Sequence, residues 1–246
     1  MKLCLLIFLL LTITGPLVLI FSGKIDFAGD YRTANRDSAH LAPDPNKTTE
    51  AVIQVYAART FNWRGIFAVH TWLAVKPKHG KQYTVYQLIG WRLYHHLSPV
   101  VALSDIPDRN WFDHKPHIIL DIRGIAAEKI IPKITQAVQS YPYPMRYHYW
   151  PGPNSNTFIA YIARQIPEMQ LALPSNAVGK DYLTDAHVFE LAPSGTGYQF
   201  SLYGLLGIIW ARKEGLEINI LGLVYGFNPY SLTLKLPGFG DIDLKH

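Results

Sequence analysis

The chain has 246 residues, 49% of them hydrophobic and 17% charged, with a formal net charge of +5. That length can bury one sizeable core, and the basic residues are scattered in runs no longer than two, so no nucleic-acid partner is expected. The sole cysteine, Cys4, excludes an intrachain disulfide, a cysteine metal cluster and a thiol nucleophile in the body.

From Leu3 to Gly23 there is no charge. An uncharged run of that length satisfies the ~30 Å hydrocarbon layer as one helix. Residues 1–23 are therefore read as a transmembrane signal-anchor, with a cleaved signal peptide as the alternative. Phe21-Ser22-Gly23 is a poor cleavage site. Cys4 opens the apolar run, whereas a lipid-carrying cysteine would follow it. The expected address is a single-pass inner-membrane protein with an extracytoplasmic body. The basic count alone (Lys2 before the run; Lys24, Arg32 and Arg36 after it) leans the other way.

Residues 24–48 are polar, have no clear period, and read as a tether, either free or packed on the body. Residues 49–246 read as one globular domain. Val52–Ala58 is a short strand. The segments 66–76 and 82–91 are rich in β-branched and aromatic residues and flank a Pro77-Lys78-His79-Gly80 turn, which predicts a hairpin. Both arms are apolar on both faces, so the hairpin is expected to be central and covered on both sides. Further strands are predicted at 100–103 and 117–122.

Ile130, Ile134 and Val138 mark a helix over 125–140, with Pro132 inside it. Phe158, Ile162 and Ile166 mark a second helix over 155–165. Strands return at 186–191, 198–211, 216–225 and 231–236. The run Leu202–Trp210, with Gly204 and Gly207, reads as a buried strand or bend. The fold class is α+β: a mainly antiparallel sheet built from both ends of the chain, with two or more helices.

Two segments could carry chemistry. His70 lies mid-strand in Trp63–Trp72, on the face it shares with Trp72. It fits a hydrogen-bonded core histidine as well as a general base. In Trp150-Pro-Gly-Pro-Asn-Ser-Asn-Thr-Phe, Asn154 is a good N-cap and Ser155 opens the helix. The amides and dipole there would favour an anion or an attacked carbonyl. Gln87 shares the face of His70 if the hairpin loop is His79-Gly80; a shift of one residue puts Tyr86 there instead. Asn154, Asn156, Trp72 and Trp150 are the candidate substrate contacts, although the rings of Trp72, Trp91, Trp111 and Trp150 read equally as core. His95, His96, His114 and His117 match no metal-ligand spacing. Pro237-Gly-Phe-Gly is a turn rather than a phosphate loop, so neither metal nor cofactor is expected.

The stretches GDYRTANRDSAHLAPDP, WRGIFAVHTWLAVKP, DIRG and WPGPNSNTF resemble the uncharacterised bacterial family called domain of unknown function 3750, over about residues 29–165. A more distant resemblance is to circularly permuted papain-like proteins of the NlpC and lecithin–retinol acyltransferase types. In those, a strand histidine precedes an Asn-Cys-x-x-Phe helix start. Here His70 precedes Asn154-Ser155-Asn156-Thr157-Phe158, with serine in the cysteine position.

That resemblance implies either a hydrolase or acyltransferase acting on amide or ester bonds, or a catalytically inactive binding module. In the first, Ser155 is the nucleophile, His70 the base and Gln87 its orienting partner. In both, the ligand would be an envelope peptide, a lipid or a partner protein.

Overall fold

The computed structural model describes residues 2–245, without the Cys4 side chain. The uncharged N-terminal run forms helix α1 (Lys2–Phe21). Among the described residues no helix is long and apolar enough to cross a membrane. The expectation of a transmembrane helix is therefore not carried by the structure, which shows a helix with an apolar exposed surface. Nor does α1 stand apart on a tether. Its Thr12 hydroxyl is 2.7 Å from the Tyr225 hydroxyl, Phe8 packs on the Tyr225 ring, and Leu19 is buried with Ile25 and Ile66.

Five strands follow: β1 (Val52–Arg59), β2 (Val69–Lys76), β3 (Thr84–Leu88), β4 (Val100–Ser104) and β5 (His117–Arg123). They form an antiparallel sheet in the order β4-β3-β2-β1-β5. Every residue of β2 is buried, so the hairpin predicted as central is flanked on both sides. One face takes α2 (Gly124–Gln139) and α3 (Ser155–Gln165), packing Ile53, Val55, Leu73 and Leu88 against Phe158 and Ile162. The opposite face buries Tyr56, Trp72 and Val85 under Leu41, Ala42 and Trp111.

Residues 24–48 take the packed form of the tether, as a strap across the body. Asp108 pins it, accepting from Ser38 Oγ (2.7 Å), Leu41 N (2.5 Å) and Ala42 N (3.0 Å).

The C-terminal strands do not join this sheet, contrary to the expectation of one sheet built from both ends. β6 (Phe189–Leu191), β7 (Gly197–Leu202), β8 (Leu206–Ala211), β9 (Gly215–Ile220), β10 (Leu223–Asn228), β11 (Thr233–Leu236) and β12 (Gly240–Asp243) form a second, seven-stranded antiparallel meander. The run 202–210 is neither a buried strand nor a bend. It contains the β7–β8 turn, and β8 alternates exposed and buried residues.

The polarity of this sheet is reversed. Its inner face presents Gln199, Ser201, Glu217, Asn219 and Lys235, all buried. Glu217 accepts from both Lys180 and Lys235, and Lys180 also lies 3.3 Å from Asp181. Asp181 accepts in turn from Gln199 (2.7 Å) and Asn219 (3.1 Å). Burial alone would raise the Glu217 carboxyl, but the two ammonium groups outweigh it and hold the pKa below its ordinary value.

Removing Glu217 leaves Lys180 with Asp181 alone and Lys235 with Asp241 at 3.7 Å, and breaking a buried ion pair costs about 3–5 kcal/mol. Glu217→Gln is therefore expected to lower the urea midpoint by that equivalent without changing the slope. An unchanged midpoint would mean that the two ammonium groups are hydrated and not held by Glu217.

Candidate functional site

The site is built where the start of β2 meets the start of α3. Asn154 caps α3: its Oδ1 accepts from Asn156 N (2.9 Å) and Thr157 N (3.2 Å), while Thr157 Oγ1 accepts from Asn154 N (3.1 Å). The two Asn154 amide hydrogens go to Tyr149 O and Val178 O. Asn156 Nδ2 donates to Val69 O (2.9 Å) and Val178 O (2.8 Å), and its Oδ1 accepts from Thr71 Oγ1 (2.9 Å). Neither asparagine keeps an amide hydrogen for a ligand. Of the amides at the start of α3, those of Asn156 and Thr157 are likewise spent within the protein.

The loop at Val178-Gly179 must come very close for this. A Cβ on Gly179 would lie 2.2 Å from Asn154 Nδ2, and its φ is +100°, so only glycine fits there.

His70 takes the other face of β2. Thr71 points toward α3, and His70 points toward the aromatic side, stacked 3.6 Å from Trp111 and 5.6 Å from Trp72 between ring centroids. The strand register sets Leu73 against Tyr86 and Val75 against Thr84. That register places Gln87, not Tyr86, on the face of His70. Gln87 Oε1 is 3.3 Å from His70 Nε2. Burial pushes the imidazole pKa down to about 3, against a smaller opposing effect of the Gln87 hydrogen bond.

Ser155 is 4% exposed. Among the described residues no hydrogen bond links it to His70. Ser155 and His70 nevertheless line the same cavity of about 1090 Å³. Its other walls are strongly aromatic and include Trp63, Trp91, Trp111, Trp150, Phe112 and Tyr149. Among the described residues the arginines in the wall are Arg36, whose guanidinium lies 4.4 Å from the Phe112 ring centroid, and Arg64, 4.8 Å from that of Tyr149; His95 also lines it. No carboxylate lines it.

Trp150 is half exposed at the rim, its Nε1 donating to Leu221 O (3.0 Å) in the β9–β10 turn. Trp72 is buried outside the cavity, its Nε1 donating to Pro107 O (2.7 Å). Sequence reasoning missed Arg36, Arg64 and Trp63. They sit on the strap and the 62–66 turn, and only tertiary folding brings them to β2. Among the described residues no group of three or more His, Cys, Asp or Glu could hold a metal ion.

Residues 50–182 match the family described as protein of unknown function (DUF3750). The chain belongs to this family. No curated protein and no solved structure matches it. The DUF3750 match runs from the first sheet through α3 to the Val178-Gly179 loop and ends before β6. It contains His70, Gln87, Asn154, Ser155 and Asn156. Arg36 and the Leu221–Leu223 rim lie outside it.

The depressed His70 pKa gives a pH test with a definite sign. A histidine whose folded pKa lies below about 6.5 is protonated first in the unfolded chain. Its contribution is constant above about pH 6.5 and is lost as pH falls toward 3. The loss is at most about 1.4 kcal/mol per pH unit. Urea midpoints measured from about pH 8 to 4 should fall more steeply for the native chain than for His70→Gln. Parallel curves would show that His70 protonates as readily in the folded protein as in the unfolded one.

Proposed function

We propose that this protein is a membrane-associated binding domain whose aromatic cavity takes an amphipathic, anionic ligand of the cell envelope. One observation carries the reading: a cavity of about 1090 Å³ walled by tryptophan, tyrosine and phenylalanine, with two arginines and no carboxylate. A pocket of that size and lining suits a ligand with a long apolar part. The guanidinium groups of Arg36 and Arg64, lying over aromatic rings, suit a carboxylate or phosphate head. The membrane address is supported by α1, which carries no charge from Leu3 to Phe21 and leaves Leu5, Ile7, Leu9 and Leu10 exposed.

The binding reading is preferred over catalysis on three grounds. His70 faces away from α3, its imidazole is held neutral, and two of the amides at the helix start, those of Asn156 and Thr157, are taken by the Asn154 cap. A serine nucleophile needs both a working base and those donors. The papain-like resemblance supplies the order of His70 and Asn154–Phe158, and this arrangement suits an inactive relative of such enzymes.

A serine-dependent hydrolase or acyltransferase is the second reading. It is favoured by one observation: Ser155 opens a helix inside the cavity that His70 also lines. Labelling of the full chain by a fluorophosphonate probe, lost in Ser155→Ala, would decide for it. Absence of labelling would end it.

The binding reading is tested with 11-bromoundecanoate as the probe and 11-bromoundecanol as its uncharged match. The full chain would be held in neutral dodecyl maltoside micelles, with Trp210→Phe removing the most exposed tryptophan outside the cavity. The carboxylate is expected to quench tryptophan fluorescence with an apparent affinity roughly tenfold higher than the alcohol, worth about 1.4 kcal/mol. Arg64→Ala and Arg36→Ala are each expected to erase most of that preference. Equal quenching by both probes would overturn the proposal.

A further inference from the structure

The outward face of the seven-stranded sheet carries no charge. By strand register, Tyr198 faces Trp210, Phe200 faces Ile208, Ile208 faces Ile218, and Leu216 faces Phe227, all pointing away from the buried ion cluster. From β6 to β12 the outward positions hold only aliphatic residues, aromatic residues and glycine. Trp210 is 79% exposed and Tyr198 58%. Six gaps of about 4.8 Å and strands of about 17–20 Å give a patch on the order of 500 Å², near the upper limit for a monomer before any helix is added. A water-facing antiparallel sheet would place its polar residues here, yet these strands bury them.

α1 adds to this surface. It docks on the same face through Phe8 and Thr12 against Tyr225 of β10. It leaves the outward residues of β7, β8 and β9 uncovered, and Phe200, Ile208, Trp210, Leu216 and Ile218 are all exposed. The exposed leucines of α1 and the sheet residues are therefore neighbours on one uncharged surface. At one end of the strands, exposed Arg212 and Lys213 in the β8–β9 turn sit beside Trp210, with exposed Tyr230 in the next turn at that end. Rings and basic side chains at the edge of an apolar surface match the headgroup layer of an anionic membrane. The sheet lying face down offers lipid only side chains, because its backbone groups are paired along the ladder.

We infer that the outer face of the seven-stranded sheet is a lipid-binding surface that seats the folded body on the bilayer beside α1. This goes beyond the cavity reading and does not depend on it. It extends the membrane address of α1 to the sheet. The basic Arg212–Lys213 turn at its edge and its continuity with α1 point to an anionic bilayer as the occupant.

The test uses nitroxide labels on the full chain in a Cys4→Ser background. One label each is placed at Ile208→Cys on the outer face, Leu9→Cys on α1 and Lys81→Cys in the β2–β3 turn. The protein is reconstituted in vesicles of about three parts phosphatidylcholine to one part phosphatidylglycerol. At position 208, relaxation by oxygen is expected to exceed relaxation by a water-soluble nickel chelate severalfold; position 81 should show the reverse. A water-accessible label at 208 beside a lipid-buried label at 9 would overturn the sheet surface and leave the α1 address standing. Water access at both would overturn the two together. Spin–spin broadening at 208 that grows with the protein-to-lipid ratio would assign the face to a second copy and overturn the lipid reading.

Discussion

The site hangs on two adjacent-but-one asparagines. Asn154 and Asn156 tie four pieces of chain into one corner: the Tyr149 segment, the first turn of α3, the start of β2 and the Val178 loop. Each amide group is buried and each of its hydrogens has a named acceptor. In such a corner a lost partner costs the full desolvation of the group left behind, about 1–3 kcal/mol each. Precision here is needed because Val178 O receives two donors at once. Gly179 lets that loop approach by having no side chain to collide with Asn154. The cavity wall from Trp150 to Asn156 is stiff for the same reason.

A second constraint is the ion cluster beneath the C-terminal sheet. Lys180 and Asp181 come from the loop just after Gly179, so the corner and the cluster share one stretch of chain. Arg164, near the end of α3, reaches into the same layer through Lys180 O and Gln199 Oε1. α3 is thus held at its start by amides and near its end by a guanidinium. Charge placed inside leaves the opposite face of each strand to apolar residues, because side chains alternate along a strand. The polar interior and the apolar exterior of this sheet are two sides of one alternation.

Much of the first half of the fold was legible from sequence. The hairpin, the helix starts and the Asn154 cap each depend on local chemistry, and their positions follow from β-branching, four-residue apolar spacing and an N-cap residue. Gln87 shares the His70 face because Leu73 pairs Tyr86 and Ala74 pairs Val85; the connection is residues 77–83 rather than the two-residue loop His79-Gly80, yet it keeps the register that such a loop implies. The second sheet was misread because alternation says which residues share a face but not which face meets water. The run Leu202–Trp210 reads as buried, yet Ile208 and Trp210 are exposed and Gly207, Ile209 and Ala211 are the buried residues. Arg36 and Arg64 could not be placed because their partner rings lie in other segments, at Phe112 and Tyr149. The nucleophile motif points to the corner at the start of α3, but a motif says nothing of which donors the fold has already used.

The cavity and the outer sheet face meet at the β9–β10 turn. Leu221 is exposed on the turn, its carbonyl accepts from Trp150, and Leu221 to Leu223 form part of the cavity wall. Ile66 joins Leu19 of α1 and Ile25 in a small cluster, with Phe67 packed against it and also lining the cavity. The cavity rim is therefore flanked by the two apolar surfaces proposed to face lipid. A ligand with an acyl chain could pass from a bilayer to the aromatic wall without its chain crossing water, its anionic head travelling at the headgroup level toward Arg64. Exposing an acyl chain to water on the way would cost roughly 0.8 kcal/mol per methylene, so on the proposed reading an entry that abuts the bilayer removes most of that cost. This geometry gives a reason for an aromatic cavity, an uncharged helix and an inverted sheet to occur in one chain.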